Sequence, residues 1–196
     1  MQYSPDDGGR YITAGIVVSK DPETGIPDIG HYRFEVVDKQ TLTFLALPNH
    51  RFGRNLAKAR RMGQTIFHAA LVLGVDPVMA YTCPIQVPDG TNDFEVVGGM
   101  RGAALELVHC KTIDVDVPAR AELVFELEVD FTQEVFEGRS ESSPGITPQV
   151  QRNRSHGSRR SRIAIVRISR LSLQEFRRLK IISLSSCLTR HRTSPC

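Results

Sequence analysis

Thiols, imidazoles and carboxylates are the side chains through which this chain could do chemistry, and their spacing already narrows the choice. The four cysteines, Cys83, Cys110, Cys187 and Cys196, include no Cys-x-x-Cys pair. Neither a zinc knuckle nor a disulfide framework follows, and reduced thiols are the expectation. Gly98, Gly99 and Gly102 do not form the Gly-x-Gly-x-x-Gly of a dinucleotide loop. His50 ends the run Leu47-Pro48-Asn49-His50, where a loop or surface histidine is the plain reading. Asp28 follows Ile26-Pro27 in turn chemistry, and Asp93 suits the cap of a short helix. Arg33 alternates with His31 and Glu35 on the polar face of a strand whose other face is Tyr32, Phe34 and Val36. Glu137 reads as a surface acid, and His68 and Cys110 as core residues of strands.

The elements that must position these groups follow from pattern. YITAGIVV (11–18) is β-branched and aromatic, and DPETG (21–25) after it is a turn, so a hairpin is expected with HYRFEVVD (31–38). TLTFLAL (41–47) continues an antiparallel meander. NLAKARRMG (55–63) has helical composition and a glycine to end it. TIFHAALVLG (65–74) reads as a buried strand, PVMAYT (77–82) as a helix opened by proline, and 92–101 as another short helix. ALELVHCKTIDVDVP (104–118) and AELVFELEVDF (121–131) alternate like half-buried antiparallel strands.

Charge divides the chain in two. Its formal +3 over 196 residues combines 12 basic and 20 acidic residues up to Gly138 with 13 basic and 2 acidic residues after it. The longest nearly apolar run is AALVLGV (69–75), far short of the ~20 residues of a bilayer-spanning helix. MQYSPDDGGR has no basic region followed by an apolar stretch, so no secretory signal is expected and the cytoplasm is the expected location. Residues 139–196 carry 12 arginines and no aspartate. RIAIVRISRLSL (162–173) reads as a strand and LQEFRRLKII (173–182) as a basic amphipathic helix, both without evident partners. Such a tail binds polyanions through counterion release. Phe176 is its one aromatic, too few to stack on bases.

The segments YITAGIVVSKDPETGIPDIGHYRFEVVDKQTLTFLALPNH, VPDGTNDFEVVGGMRG, LVHCKTIDVDVPARAELVFE and VFEG resemble, in order, the central domain of the UbiD family, whose members are decarboxylases that use prenylated FMN. The likeness runs from about Gly8 to Gly138. It implies an α+β, β-rich fold: a split β-barrel of the flavin-reductase-like type with a few short helices. Residues 1–138 are then the flavin-binding domain and 139–196 a disordered tail that is not a native domain.

The resemblance also implies roles. Ile29, Gly30, His31, Tyr32, Arg33, Asn49, Tyr81 and Thr82 match positions around the cofactor. Arg33 corresponds to the arginine beside the reacting face of the flavin, and Glu137 to one of two catalytic acids. The family holds a divalent metal, Mn²⁺ or Mg²⁺, with Asn, His and Glu, matched here by Asp28, His50 and Asp93. Two of these depart from the pattern but keep hard oxygen donors. Tyr81–Pro84 resembles the carbonyl-rich loop that holds K⁺. The implied partners are a small aromatic or α,β-unsaturated carboxylic acid, a flavin prenyltransferase that supplies the cofactor, and further copies in a homo-oligomer. In such chemistry the cofactor is the electron sink, while protein side chains orient the carboxylate and deliver the proton.

After Glu137-Gly138 the likeness fails. The family motif runs close to Glu-Gly-Pro-(Phe or Leu)-Gly-(Glu or Asp), which puts its second acid at Ser142, with Glu141 one place early. A coding string for the family's continuation, read one base later, gives Arg139 to Thr147, so the tail reads as a frameshift product. The chain is then an incomplete and impaired carboxy-lyase. The rival readings are a non-catalytic flavin-binding module and a basic-tailed polyanion-binding protein.

Overall fold

The computed structural model describes residues 9–135 and 163–173. β1 (Arg10–Lys20) and β2 (Pro27–Val36) form the expected antiparallel hairpin. Asp21 holds its turn: the carboxylate accepts from the Glu23 and Thr24 amides at 2.8 and 3.4 Å. Asp38 repeats the device before β3 (Thr41–Phe44), accepting from the Gln40 and Thr41 amides at 2.8 Å each. In both turns a short carboxylate replaces the backbone partners that the reversal removes.

α1 (Arg51–Arg61) begins four residues earlier than its composition predicts. Its first turn contains Gly53, a poor helix former. Only glycine fits there, because a Cβ would stand 2.1 Å from the Leu47 carbonyl oxygen. β4 (Ile66–Leu73) follows, then α2 (Pro77–Thr82), capped by the Asp76 carboxylate on the Val78 amide at 2.8 Å. α3 (Asp93–Arg101) is capped by the Asn92 side chain on the Phe94 amide at 3.0 Å. Asp93 is therefore the first residue of the helix, and Asn92 is its cap.

The alternating run over 104–118 becomes two short strands, β5 (Leu107–His109) and β6 (Asp116–Pro118). Between them the chain turns, with the Cys110 amide on the Val115 carbonyl at 2.9 Å. Cys110 is buried, as expected, but lies in this turn. His68 is a correction: it sits on β4 but is exposed, beside the buried Phe67 and Ala69.

β7 (Leu123–Val135) pairs with β4 on one side and with β8 (Ile163–Leu173) on the other. β8 in turn pairs with β3. The order β1-β2-β3-β8-β7-β4 is a closed antiparallel barrel, a closure that leaves no free sheet edge. Residues 163–173 fall in the segment expected to be a disordered tail. There they supply the strand between β3 and β7. The remainder of that segment lies outside the described residues.

Strand alternation gives the barrel wall two apolar layers. Val17, Phe34, Leu42, Phe44, Leu71, Leu127 and Val166, drawn from six strands, fill the interior together with Phe52, Leu56 and Ala59 of α1. Ile16, Val18, Ala70, Val72 and Val124 face outward against Met79 of α2, Val97 of α3 and the β5–β6 hairpin. Phe52 links the helix to the barrel through rings 5.3 Å from Phe44 and 5.9 Å from Phe67. Burial of that one side chain contributes about 2–3 kcal/mol to docking α1. Among the described residues no helix is long and apolar enough to cross a membrane.

Candidate functional site

α1 enters the barrel rim with Arg51, Arg54, Asn55 and Lys58 along one side, at the three- and four-residue spacing of a single helix face. This face meets the start of β2. There Asp28 lies opposite Ser19 of β1 and is 5% exposed. Asp93, 6% exposed, approaches from the first turn of α3.

One guanidinium joins the two carboxylates. Arg51 Nη1 donates to Asp93 Oδ1 at 2.6 Å and to Asp28 Oδ1 at 3.3 Å. The other two oxygens are also met: Asp93 Oδ2 accepts from the Ile29 amide at 2.8 Å, and Asp28 Oδ2 from Asn55 Nδ2 at 3.4 Å. Arg51 Nη2 donates to the carbonyls of Pro88 and Val87 at 3.2 and 3.5 Å. Arg54 donates to the Asn49 carbonyl at 3.0 Å and to Asp89 at 2.7 Å. Buried charge without such partners would be expensive.

The pair is electrostatically strained nonetheless. Burial, followed by the negative charge of Asp93, pushes the Asp28 carboxyl up to about 7, against the opposing pull of Arg51 and Arg54. Burial would lower Arg51, but Asp93 and then Asp28 outweigh it and hold its proton more firmly than usual. Tyr32 is raised by burial and then by Asp28. Cys83 is pushed up to about 12 by burial, Asp93 and Asp28, so its thiol stays protonated and inert.

In front of this triad opens a cleft of about 400 Å³, within the size range of small-molecule sites. Its walls contain Asp28, Ile29, Gly30, His31 and Tyr32 from β2, Asn49 and His50 from the turn before α1, and Asp93. The turn after α2, from Cys83 to Val87, closes the far side. His31 is steadied by the Ala80 carbonyl, 2.9 Å from Nε2. At Gly30 the bare backbone lets the Tyr32 ring fold against it, since a Cβ would meet that ring at 2.7 Å. Tyr32 in turn lies 5.3 Å from the Phe52 ring and 6.3 Å from that of His50.

Eight of the site residues singled out from sequence thus share one cleft, whereas Arg33, Tyr81 and Thr82 do not line it. Arg33 lies outside the cleft lining, its guanidinium 5.9 Å over the Tyr11 ring. Tyr81 is 72% exposed. Thr82 is buried, and its hydroxyl donates to the Val78 carbonyl at 2.7 Å. Glu137 lies outside the described residues.

As arranged, Asp28, His50 and Asp93 do not fit a divalent ion. Arg51 lies between the carboxylates, His50 is exposed, and the described residues contain no cluster of three His, Cys, Asp or Glu side chains able to hold a metal. Arg51 and Asn55 are the residues that sequence reasoning missed. Their signal was present: Arg51 follows His50, and Asn55 is a polar residue four places on, on a helix whose other buried side chains are apolar.

The closed barrel with a ligand-sized cleft at its rim defines a flavin-reductase-like split barrel. Residues 1–156 match the family model described as UbiD, the 3-octaprenyl-4-hydroxybenzoate carboxy-lyase Rift-related domain. The chain belongs to the UbiD family. It is 32% identical over 120 residues to anhydromevalonate phosphate decarboxylase of Methanothermobacter thermautotrophicus, a match covering 61% of this chain and 28% of that one. It is 29% identical over 170 residues to phenolic acid decarboxylase of a Streptomyces species, covering 85% and 33%. A solved structure of an evolved dimeric form of the UbiD-class enzyme HmfF from Pelotomaculum thermopropionicum, in complex with prFMN, superposes with a TM-score of 0.75 at 28% identity, covering 88% of this chain and 38% of that one. The chain spans about a quarter to a third of the length of the curated relatives it matches.

Proposed function

We propose that this chain carries the flavin-binding part of a carboxy-lyase that removes CO₂ from an aromatic or α,β-unsaturated carboxylic acid with prenylated FMN. The observation that carries the reading is the cleft itself: Ile29–Tyr32 and Asn49–His50 come from separate elements and line one wall. The relatives named for decarboxylases and the HmfF complex with prFMN support it. The binding unit is residues 1–138, completed by β8. We place it in the cytoplasm, where the thiols of Cys83 and Cys110, both free in the structure, stay reduced.

When bound, the cofactor supplies the electron sink for the charge that departing CO₂ leaves behind. The chain's own groups bind and orient. The Gly30 backbone and the Tyr32 ring give the cleft a flat wall, and His31 is held to the α2 carbonyl edge. In this reading Glu137 delivers the proton, and Arg33, outside the cleft lining in this structure, reaches the substrate carboxylate by leaving the Tyr11 ring. A K⁺ at the Tyr81–Pro84 segment belongs to the same reading, whereas no divalent ion is routed through Asp28 and Asp93. With serine at 142, turnover by this chain is expected to be slow but measurable.

Reconstitution of the purified protein with prenylated FMN tests the proposal. A bound-flavin spectrum with CO₂ release from hydroxybenzoic or cinnamic acids is the expected result, and Arg33→Ala should keep the spectrum and lose the release. A bound flavin without any release would indicate a non-catalytic flavin module. Absence of bound flavin would overturn both readings.

A further inference from the structure

We infer that Arg51 is a tethered counter-cation that fills the place of a divalent metal between Asp28 and Asp93, so that the carboxylate pair is maintained without metal and admits one only when the guanidinium leaves. The geometry carries this in three ways.

The first is occupancy. All four oxygens of the two carboxylates have donors: Arg51 on Asp28 Oδ1 and Asp93 Oδ1, the Ile29 amide and Asn55 on the other two. The place from which one cation could reach both acids is the one that Arg51 Nη1 already fills, so an ion bridging them must displace that nitrogen.

The second is charge. With both acids ionised, the two carboxylates and one guanidinium sum to −1, whereas a divalent ion beside a retained Arg51 would place a net positive charge in a site nine-tenths buried on both acids. Ion and arginine therefore exclude each other at the contact distances of the pair.

The third is the exit. Arg51 lines the 400 Å³ cleft and also a second one of about 360 Å³, on whose walls lie Asp21, Asp89, Arg54 and Lys58. The guanidinium can swing into that second cleft only by breaking its bonds to the Val87 and Pro88 carbonyls. Metal entry is thus coupled to release of the turn that closes the main cleft. His50 and Arg51 are adjacent on the chain, so the residue that would complete a metal site is fixed beside the one that blocks it.

The inference concerns the empty protein and stands whether or not the cleft takes a flavin. Its test is Mn²⁺ alone, titrated into the full chain and followed by the electron paramagnetic resonance signal of free ion and by the shift in melting temperature. Arg51→Met should bind one Mn²⁺ at least about tenfold more tightly than the wild type, with a larger rise in melting temperature at saturating ion. Arg51→Lys, which keeps a cation, should stay near the wild type. If Arg51→Met does not fold, Arg51→Gln keeps a donor without the charge and carries the same comparison. Equal Mn²⁺ affinity in the wild type and the neutral variant, or no binding by a folded neutral variant, would overturn the inference.

Discussion

The carboxylate of Glu126 on β7 receives the backbone amide of Thr112 at 2.6 Å, the Thr112 hydroxyl, and the Lys111 amide at 3.0 Å. Glu126 is 1% exposed, so a single side chain pins the β5–β6 turn to the barrel wall. Burial acts to raise its carboxyl, but the Thr112 hydroxyl and the two amides outweigh burial and hold it below the ordinary carboxylate range.

Glu126→Ala should therefore destabilise the protein by about 3 kcal/mol at neutral pH, since it orphans charge-assisted donors. The sign with pH follows from linkage. A depressed carboxyl contributes stability that is present above its unfolded value and lost as pH falls through the folded one. Urea unfolding at pH 7 and pH 3 should show the wild-type advantage over the variant shrinking in acid.

Asp28 has the opposite sign. Its folded value of about 7 lies above the ordinary 3.8, so the folded state holds an extra proton between them. Its contribution to stability is whole below the unfolded value and declines as pH rises towards 7, at up to about 1.4 kcal/mol per pH unit. Asp28→Asn should flatten the stability profile between pH 4 and 7, and unfolding midpoints across that range will show it.

Gly30→Ala places a methyl group 2.7 Å from the Tyr32 ring. The ring must leave the backbone, and the wall of the cleft changes shape. FMN affinity, measured by fluorescence quenching, should drop about tenfold, equivalent to ~1.4 kcal/mol, with little change in the circular dichroism spectrum.

Truncation distinguishes strand from tail. A chain ending at residue 173 retains β8 and should unfold cooperatively, whereas one ending at 138 bares the facing edges of β3 and β7. The shorter chain should aggregate at micromolar concentration, as light scattering will report.

Most of the barrel was legible because it rests on local signals. Asp21 and Asp38 write their turns, proline opens α2, β-branched composition marks β1, and alternation across β2 and β7 names the buried faces. The cleft residues of β2 and of the Asn49–His50 turn were also found. What escaped depends on meetings across the chain. Nothing near Arg51 in sequence shows that Asp28 and Asp93 will flank it. The start of α1 was missed because Gly53 has low helix propensity and earns its place only against Leu47. The partners of β8 were missed because strand pairing is set by distant neighbours, and the charge break at Gly138 obscured a strand whose buried Val166 sits opposite Val129.

Closure by β8 has a consequence for the birth of the molecule. Thr41 waits for Arg167, so the barrel cannot shut until residues 163–173 have left the ribosome. The β1–β2 hairpin can form early from neighbouring residues, but β3 must wait through all the synthesis between it and β8 without the strand it requires. For that interval the nascent chain is a client for holding factors, and the speed of elongation past the β8 codons governs how long it remains one.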